Sequence, residues 1–292
     1  MAEEITAPLG LAPGQIAYGG LVLGAGTAWR WRQLDGWEDM PALDSGDVAR
    51  PSRHGAWPGR DLAQPRVITL TGMILARREE VRHRLAELRS ATAVAESAEL
   101  RPLVVNALGR ELLAYARPTQ RVVSLARGAR LGHIPFTVQW TAPDPRRFSP
   151  TLHSRTITAP TESGDGLDYP LEYPLDYGLT AAGGSARVTN LGDTPTHPVL
   201  TISGPCDRPR ITGGGLVMEY DLTLADGEVL VIDCHAGTVL LGGTADRFYT
   251  RTSASVPVEA WTLAPGTTVV QFRPLWAGPG ATVLVQWRDA YL

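Results

Sequence analysis

The side chains that most often bind metals or act in catalysis are scattered along this sequence. Its histidines stand singly, at positions 54, 83, 133, 153, 197 and 235. The densest group is Asp233-Cys234-His235, but adjacent residues of a strand point to opposite faces and cannot readily converge on one ion. We therefore expect no metal site and no cofactor.

Motifs for nucleophilic and phosphate chemistry are also missing from the sequence. It has no G-x-S-x-G or H-E-x-x-H pattern, and because its 27 basic residues are all arginine, the lysine of a P-loop has no counterpart. The run Gly213-Gly214-Gly215 precedes no helix, so we expect a turn between two strands there. Acidic pairs such as Asp221 with Asp226 could serve a glycosidase, but exposed loop carboxylates explain them better. The sequence predicts a protein that is not an enzyme.

Charge and hydropathy argue against two classes of partner. The net charge is −3, which disfavours specific nucleic-acid binding. Residues 1–150 carry 19 arginines against 15 acidic residues, and residues 151–292 carry 8 against 15, so the halves differ in sign. No apolar run reaches membrane-spanning length, and the first residues, MAEEITAPLG, lack the basic and apolar regions of a secretory signal. We expect two units, with neither export nor membrane insertion.

Cysteine use gives little support for a disulfide framework. Cys206 and Cys234 are too few to staple a chain of 292 residues. Two buried thiols are the favoured interpretation, and a single bridge between them stays open.

The first part, residues 1–150, is predicted to be a β domain with one principal helix. Strand candidates are residues 28–34, 66–75, 103–108, 111–117, 120–125 and 134–140, with turns at Gly109-Arg110, Pro118 and Gly128. A helix is predicted at about 78–98, because Val81, Leu85 and Leu88 fall near one face. The Pro- and Gly-rich residues 44–65 predict a long surface or interface loop.

An interdomain segment rich in proline and tyrosine is predicted at 151–184. Tyr169, Tyr173 and Tyr177 recur every four residues, but Pro170 and Pro174 forbid a stable helix. The segment must therefore be extended or turned. Its tyrosines are candidates for packing against a neighbouring domain or subunit, and a semi-rigid proline linker is an equally good interpretation.

The last part, residues 185–292, is predicted to be an antiparallel β-sandwich. Short apolar strand candidates recur with turn residues between them and without a convincing helix. They are residues 186–189, 198–204, 216–222, 228–233, 238–241, 256–263, 267–274 and 281–288.

The second half resembles the carboxy-terminal domain of siphophage distal tail proteins. The resemblance rests on ordered short motifs: NLGDTPTHP at 190–198, ISGP at 202–205, GEVLVID at 227–233, GTVLLGG at 237–243, WTLAPG at 261–266 and VVQF at 269–272. The Tyr-Pro segment and the closing WRDAY at 287–291 also look like related tail proteins. The resemblance implies a mainly β fold: a split-barrel-like amino-terminal domain followed by a galectin-like antiparallel sandwich.

The same resemblance implies a structural virion protein of the bacteriophage tail tip or baseplate, made in the host cytoplasm. Family members form a hexameric ring through the amino-terminal domain, and the sandwiches project outward. The implied partners are the tail tube protein above and a tail-tip hub protein below, with the tape measure protein as a further candidate. The ring would leave a channel for DNA passage.

Large aromatic residues of the first domain are candidates for the ring interface. They are Trp29, Trp31, Trp57 and Trp140, because large aromatics tend to anchor assemblies. Core packing explains a tryptophan in a β domain at least as often.

The sequence is also compatible with two other functions. A sandwich of this kind commonly carries sugar-binding sites, so a carbohydrate-binding module that recognises a host receptor is the main alternative, with Trp261 and Trp276 as its aromatics. A tail-associated hydrolase is the other, although no catalytic constellation supports it.

Overall fold

The chain divides into two units, each with its own hydrophobic core. The computed structural model describes residues 5–94, 99–125, 131–160 and 183–292. The first unit runs to Thr151 and includes Tyr291–Leu292, and the second comprises Leu152–Ala290. The predicted class, mainly β with one α-helix, is confirmed within these ranges.

The first unit is an antiparallel β structure with one helix, α1 (Val81–Ala91). Its strands are β1 Gln15–Tyr18, β2 Leu21–Gly24, β3 Trp29–Asp35, β4 Leu43–Ser45, β5 Val48–Ala49, β6 Ala56–Trp57, β7 Asp61–Ala63, β8 Arg66–Leu75, β9 Arg101–Asn106, β10 Glu111–Val123, β11 His133–Ala142 and β12 Arg147–Phe148. The main hydrogen-bonded order is β2-β1-β9-β10-β11-β8-β3. The indole N–H of Trp31 on β3 donates to the Gly14 carbonyl at 2.7 Å, which ties this end strand to the segment before β1.

Alternating side chains of these strands build the first core. In β8 every second residue is buried, including Ile68, Leu70 and Ile74, as expected for a strand with one face in the core. Leu85 and Leu88 of α1 belong to the same cluster, and so does Tyr291, one of the two residues that return to this unit.

Most predicted elements of the first half match, but the helix, the turn at Pro118 and the loop at 44–65 differ from the prediction. The bounds of β8 are confirmed, but α1 is shorter than predicted. Thr92 leaves the helical conformation, with φ −110° and ψ 29°, and its hydroxyl donates to the Leu88 carbonyl. The predicted turn at Pro118 is wrong. β10 continues through this position, and a register shift between Pro118 and Gln120 absorbs the irregularity.

The second unit is built from antiparallel sheets around one core. Its strands are β13 His153–Thr158, β14 Ser185–Asn190, β15 Val199–Ser203, β16 Cys206–Asp207, β17 Arg210–Gly213, β18 Leu216–Glu219, β19 Thr223–Leu224, β20 Val229–Asp233, β21 Thr238–Leu241, β22 Ala245–Asp246, β23 Gly266–Phe272, β24 Trp276–Ala277 and β25 Thr282–Trp287. The sheet orders are β13-β25-β15-β20-β21-β22, β14-β23-β17-β18 and β19-β16-β24. β26 (Ala290–Tyr291) spans the point where the chain returns to the first unit.

The predicted start of this unit, residue 185, is too far along the chain. β13 pairs along its full length with β25, so residues 152–160 belong to the second unit and not to an interdomain segment. The rest of the predicted segment, at 161–182, lies outside the described residues.

The predicted strand at 256–263 is also wrong. Val258–Ala260 forms a 3-10 turn after Pro257, and Trp261 is fully buried behind it. The predicted turn in Gly213-Gly214-Gly215 is confirmed: it joins β17 to β18, and the two later glycines have positive φ angles, where glycine carries no steric penalty.

Buried polar side chains hold the motif at 190–198. Asn190 is 1% exposed, and its amide group donates to the carbonyls of Thr194 and Leu263 and accepts from the backbone N–H of Gly192. Asp289 accepts from the Leu191 N–H at 2.9 Å. The motif at 190–198, one of those that resemble tail proteins, is therefore a turn. Its buried polar groups form hydrogen bonds within the protein.

Candidate assembly surface

A β-hairpin that contributes nothing to the core is the most unusual part of the first unit. We call residues 42–65 the arm. Within it β4 pairs with β7 and β5 pairs with β6, where the sequence predicted a loop. No residue of the arm is buried. A two-stranded hairpin is at best marginally stable alone in water, so the arm lacks the packing that stabilises the rest of the unit.

Large apolar side chains of the arm face solvent. Leu43, Val48, Trp57 and Leu62 are 42%, 60%, 52% and 54% exposed. Val48 and Trp57 are directly opposite each other in the β5–β6 ladder, so they form one apolar pair on one face. Exposed apolar groups gathered on one element are typical of a surface that another protein covers.

Two glycines allow the strands of the arm to approach each other. A Cβ at Gly59 would overlap the backbone of Gly46, which lies across from it. The Gly59 N–H donates to a carboxylate oxygen of Asp47 at 2.8 Å, and the Gly46 N–H donates to the Arg60 carbonyl at 3.3 Å. The path of the arm between Gly46 and Gly59 depends on this close approach.

A buried arginine holds the base of the arm. Arg66, immediately after the arm, is 2% exposed. Its Nε donates to the Pro145 carbonyl at 2.7 Å. Its Nη1 lies 2.8, 3.1 and 2.7 Å from the carbonyl oxygens of Gly36, Trp37 and Asp39, the residues that lead into the arm. One guanidinium therefore ties both ends of the arm to the unit.

A second buried arginine, Arg147, lies beside this clamp. Arg147 pairs with Glu38 at 2.6 Å and lies over the ring of Trp37, with 5.9 Å between its Cζ and the ring centroid. Burial, followed by the nearby positive charge of Arg147, lowers the pKa of Arg66 to about 10. Arg66 therefore stays charged at neutral pH, and the carbonyl oxygens around it stabilise that charge.

The predicted interface tryptophans divide between core and surface. Trp140 is fully buried and packs edge-on against Tyr18, with 5.6 Å between ring centroids, and Trp29 is 5% exposed. These two side chains stabilise the first unit itself, so they are corrected to core residues and are not available to another copy. Trp31 is partly buried and bonded to Gly14. Trp57 alone of the four is exposed and stays a candidate.

The predicted packing tyrosines Tyr169, Tyr173 and Tyr177 lie outside the described residues. Conversely, the sequence did not reveal Arg66 as a clamp. Its only signal was a charged residue at the start of an otherwise apolar strand.

A concave surface on the first unit offers a second place for contact. It has a volume of about 540 Å³ and is lined by apolar side chains that include Leu9, Val22 and Pro102, with Arg101 and Glu99 at its polar part. Leu9 is 49% exposed. The first unit thus presents an exposed apolar element and a concavity whose lining is partly apolar and partly polar.

Two residues of the Asp233-Cys234-His235 group are part of local structure. Asp233 accepts the backbone N–H groups of His235 and Ala236, as in a tight turn, and Cys234 is buried. In the described ranges no three His, Cys, Asp or Glu side chains lie close enough to hold a metal ion. Both cysteines are free thiols, so the interpretation as two buried thiols is confirmed. Within the same ranges, no helix is long and apolar enough to cross a membrane.

These features define a two-unit β scaffold with an exposed arm on its first unit. No protein-family model matches the chain, and no curated protein sequence is detectably similar. Its fold is similar to that of Dit, the distal tail protein of phage SPP1, a structure described as a paradigm of the hub adsorption apparatus in phages that infect Gram-positive bacteria. The TM-score is 0.62 at 12% identity over 95% of this chain and 99% of that one. The chain therefore has the fold of a phage distal tail protein in both units.

Two other solved structures are also similar to this chain. They are the phage P2 baseplate in its activated conformation with calcium, with a TM-score of 0.49, and with strontium, with a TM-score of 0.47. Each is 11% identical over 94% of this chain.

Proposed function

We propose that this protein is a structural, non-enzymatic distal tail protein of a siphophage, located in the virion at the tail tip or baseplate. In this proposal six copies form a ring that connects the tail tube protein above to the hub protein below. The observation that carries the proposal is the SPP1 Dit fold, which extends over both units and nearly the full length of either chain.

The arm supports self-association through the first unit. A closed ring requires head-to-tail contacts, in which every copy offers two different surfaces. The arm, with Trp57 and Leu62, supplies one apolar surface, and the concavity around Leu9 supplies a second. We assign the arm of one copy to the concavity of the next, where its exposed apolar side chains would leave water.

Mixing two variants tests the head-to-tail assignment. Trp57→Asp damages the arm and leaves the concavity intact, whereas Leu9→Asp does the opposite. We expect each variant alone to be a monomer of 31.4 kDa, because a carboxylate cannot be buried in an apolar contact without a large cost. An equimolar mixture should form a heterodimer, since each partner retains one working surface. Native mass spectrometry measures all three states.

The unmodified protein and a control variant complete the test. The wild type should have a mass of about six chains in native mass spectrometry, as a six-membered ring requires. Leu191→Asp, at a position 71% exposed in the second unit, should assemble like the wild type. A mixture that stays monomeric would refute the pairing of arm and concavity, and a wild type that is monomeric at all concentrations would refute the ring.

The channel follows from the ring and has its own test. A weakly charged inner wall would let genomic DNA pass without strong phosphate binding. A cryo-electron microscopy reconstruction of the ring should show an open centre. A closed centre, or one lined by arginines, would contradict this role.

A further inference from the structure

A small three-stranded sheet of the second unit, β19-β16-β24, carries a hydroxyl, a carboxylate and an indole side by side. Asp207 on β16 lies directly opposite Thr223 on β19 and directly opposite Trp276 on β24. Side chains of directly opposite residues point to the same face of a sheet. These three residues therefore form one row across the sheet, which we call the platform.

The platform faces solvent, whereas the neighbouring row of the same sheet belongs to the core. That row consists of Leu224, Cys206 and Ala277. Cys206 and Leu224 are 0% and 1% exposed, and Ala277 packs against the same hydrophobic cluster. The three platform side chains are exposed or half-buried. The inner row thus stabilises this sheet, and the platform residues are accessible to a ligand.

The indole of Trp276 lies along the surface of the sheet. A Cβ built at Gly278 would be 3.0 Å from Cη2 of Trp276, the far corner of its six-membered ring, so the missing side chain leaves room for the ring there. The Gly278 N–H donates to the Pro205 carbonyl at 2.9 Å, which holds this backbone in place. Trp276 is nevertheless 55% exposed, whereas Trp261, the other aromatic considered for sugar binding, is fully buried. Trp276 alone of these two can offer an aromatic face.

The carboxylate of the platform is oriented by its neighbours. The Thr223 hydroxyl donates to Oδ1 of Asp207 at 2.7 Å, and the Leu275 N–H donates to the Asp207 carbonyl at 2.9 Å. A carboxylate can accept about four hydrogen bonds, so the bond from Thr223 leaves acceptor capacity for a ligand. Arg208, the next residue, forms its ion pair with a different carboxylate, that of Asp221, at 3.2 Å.

The charges around the platform disfavour a strongly charged partner. Leu275, next to Trp276, lines a concavity of about 500 Å³. The charged lining of this concavity consists of three arginines and one carboxylate, those of Arg208, Arg210, Arg273 and Glu219. A cationic chain that crossed the platform would approach this arginine-rich lining, and an acidic chain would bring like charge to Asp207. A neutral ligand avoids both costs.

We propose that the platform binds a neutral saccharide, with one pyranose ring stacked on Trp276 and its hydroxyls donating to Asp207. The face of an indole is electron-rich and attracts the C–H groups on the face of a sugar ring. Hydrogen bonds from hydroxyls to a carboxylate are charge-assisted and short. Opposite side chains on neighbouring strands have Cβ atoms about 5 Å apart, so one ring can contact both groups.

Titration of the full chain, followed by saturation-transfer NMR of the ligand, tests the proposal. The saccharide probes are cellotriose, chitotriose and galactotriose, which are neutral and differ in their ring substituents. Sorbitol provides hydroxyls without a ring, and trilysine and triglutamate provide charge without a sugar. We expect at least one trisaccharide to bind at least about tenfold more tightly than sorbitol and more tightly than either peptide. Saturation should be strongest at the C–H protons of one ring.

Substitutions locate the binding on the platform. Trp276→Leu, which keeps an apolar side chain without an aromatic face, should weaken binding about tenfold or more, whereas Trp276→Phe should stay within about threefold of the wild type. Asp207→Asn should weaken binding about fivefold or more, because the charge-assisted hydrogen bonds are lost. Leu191→Ala, at an exposed apolar position of the same unit, is the control and should bind like the wild type. Retention in Trp276→Phe separates ring stacking from damage to the fold.

Three results would overturn the proposal. The first is sorbitol binding as tightly as the best trisaccharide, or no trisaccharide binding at all. The second is trisaccharide binding that Trp276→Leu leaves unchanged. The third is tighter binding of trilysine that depends on Trp276, which would reassign the platform to cationic peptides. The platform shares no residue with the arm or with the concavity of the first unit, so none of these results bears on the ring.

Discussion

Replacing Arg66 by methionine should destabilise the first unit by about 3 kcal/mol. Three N–H groups of the guanidinium bond to carbonyls at the base of the arm, and at about 2 kcal/mol for each charged hydrogen bond they contribute about 6 kcal/mol. Burial, followed by the positive charge of Arg147, lowers the pKa of Arg66 from 12.5 to about 10, and removing this buried charge returns about 3 kcal/mol at 1.36 kcal/mol per pKa unit. The difference between these two contributions is the expected loss in the free energy of unfolding.

Hydrogen exchange followed by mass spectrometry measures this loss within the intact chain. Core amides of β8 exchange through opening of the whole unit, so a loss of about 3 kcal/mol should speed their exchange about a hundredfold. Amides of β20 in the second unit provide the internal reference. Arg32→Met, an exposed position on β3, is the matched control and should change exchange by less than about threefold.

A lysine at position 66 separates charge from geometry. Lysine keeps the positive charge, but one ammonium group cannot reach carbonyls on both sides of the arm as the planar guanidinium does. Arg66→Lys should therefore lose more than half of the stability that Arg66→Met loses. Exchange at β8 that stays within about fivefold of the wild type in Arg66→Met would refute the clamp, and wild-type exchange in Arg66→Lys would show that charge alone matters.

Three further predictions concern the arm and the buried thiols. Gly59→Ala should reduce ring formation in native mass spectrometry while leaving β8 exchange unchanged, because the added Cβ disturbs only the arm; intact rings would contradict this. Burial, followed by the charge of Asp207, raises the pKa of Cys206 to about 11, and burial also raises that of Cys234, so at pH 8 iodoacetamide should label both only after unfolding in urea. Cys206 loses its proton at a lower pH in the unfolded chain than in the folded protein. The free energy of unfolding of the second unit should therefore be constant below about pH 9 and fall as the pH rises toward 11. Rapid labelling of the native protein, or urea midpoints that rise over this range, would be inconsistent with these shifts.

Local patterns in the sequence predicted the elements that are determined by residues close together in the chain. β-Branched residues, with apolar side chains at every second position over part of the run, predicted β8, and a run of glycines predicted the turn between β17 and β18. The strand predicted at 256–263 failed because apolar residues signal burial as well as strand, and Trp261 is buried behind a 3-10 turn. Composition likewise could not separate core Trp140 from exposed Trp57, since that difference depends on which strands are neighbours.

The candidate sites depend on contacts between residues far apart in sequence. Arg66 meets the carbonyl of Pro145, 79 residues later in the chain, because of the way the strands of the first unit are arranged. No spacing rule links such positions in a single sequence. The resemblance to distal tail proteins, by contrast, rested on short motifs such as 190–198, whose internal hydrogen bonds are local and leave a recognisable pattern.

The return of Tyr291 to the first unit makes the second unit an insertion with two junctions. The ring of Tyr291 lies 4.1 Å from the guanidinium carbon of Arg110, and its side chain belongs to the first core. Recombination that exchanges only the second unit must therefore keep Tyr291, which lies after the downstream junction, with the first unit. A hybrid protein joined only at the upstream junction would lose Tyr291, and with it part of the core of the first unit.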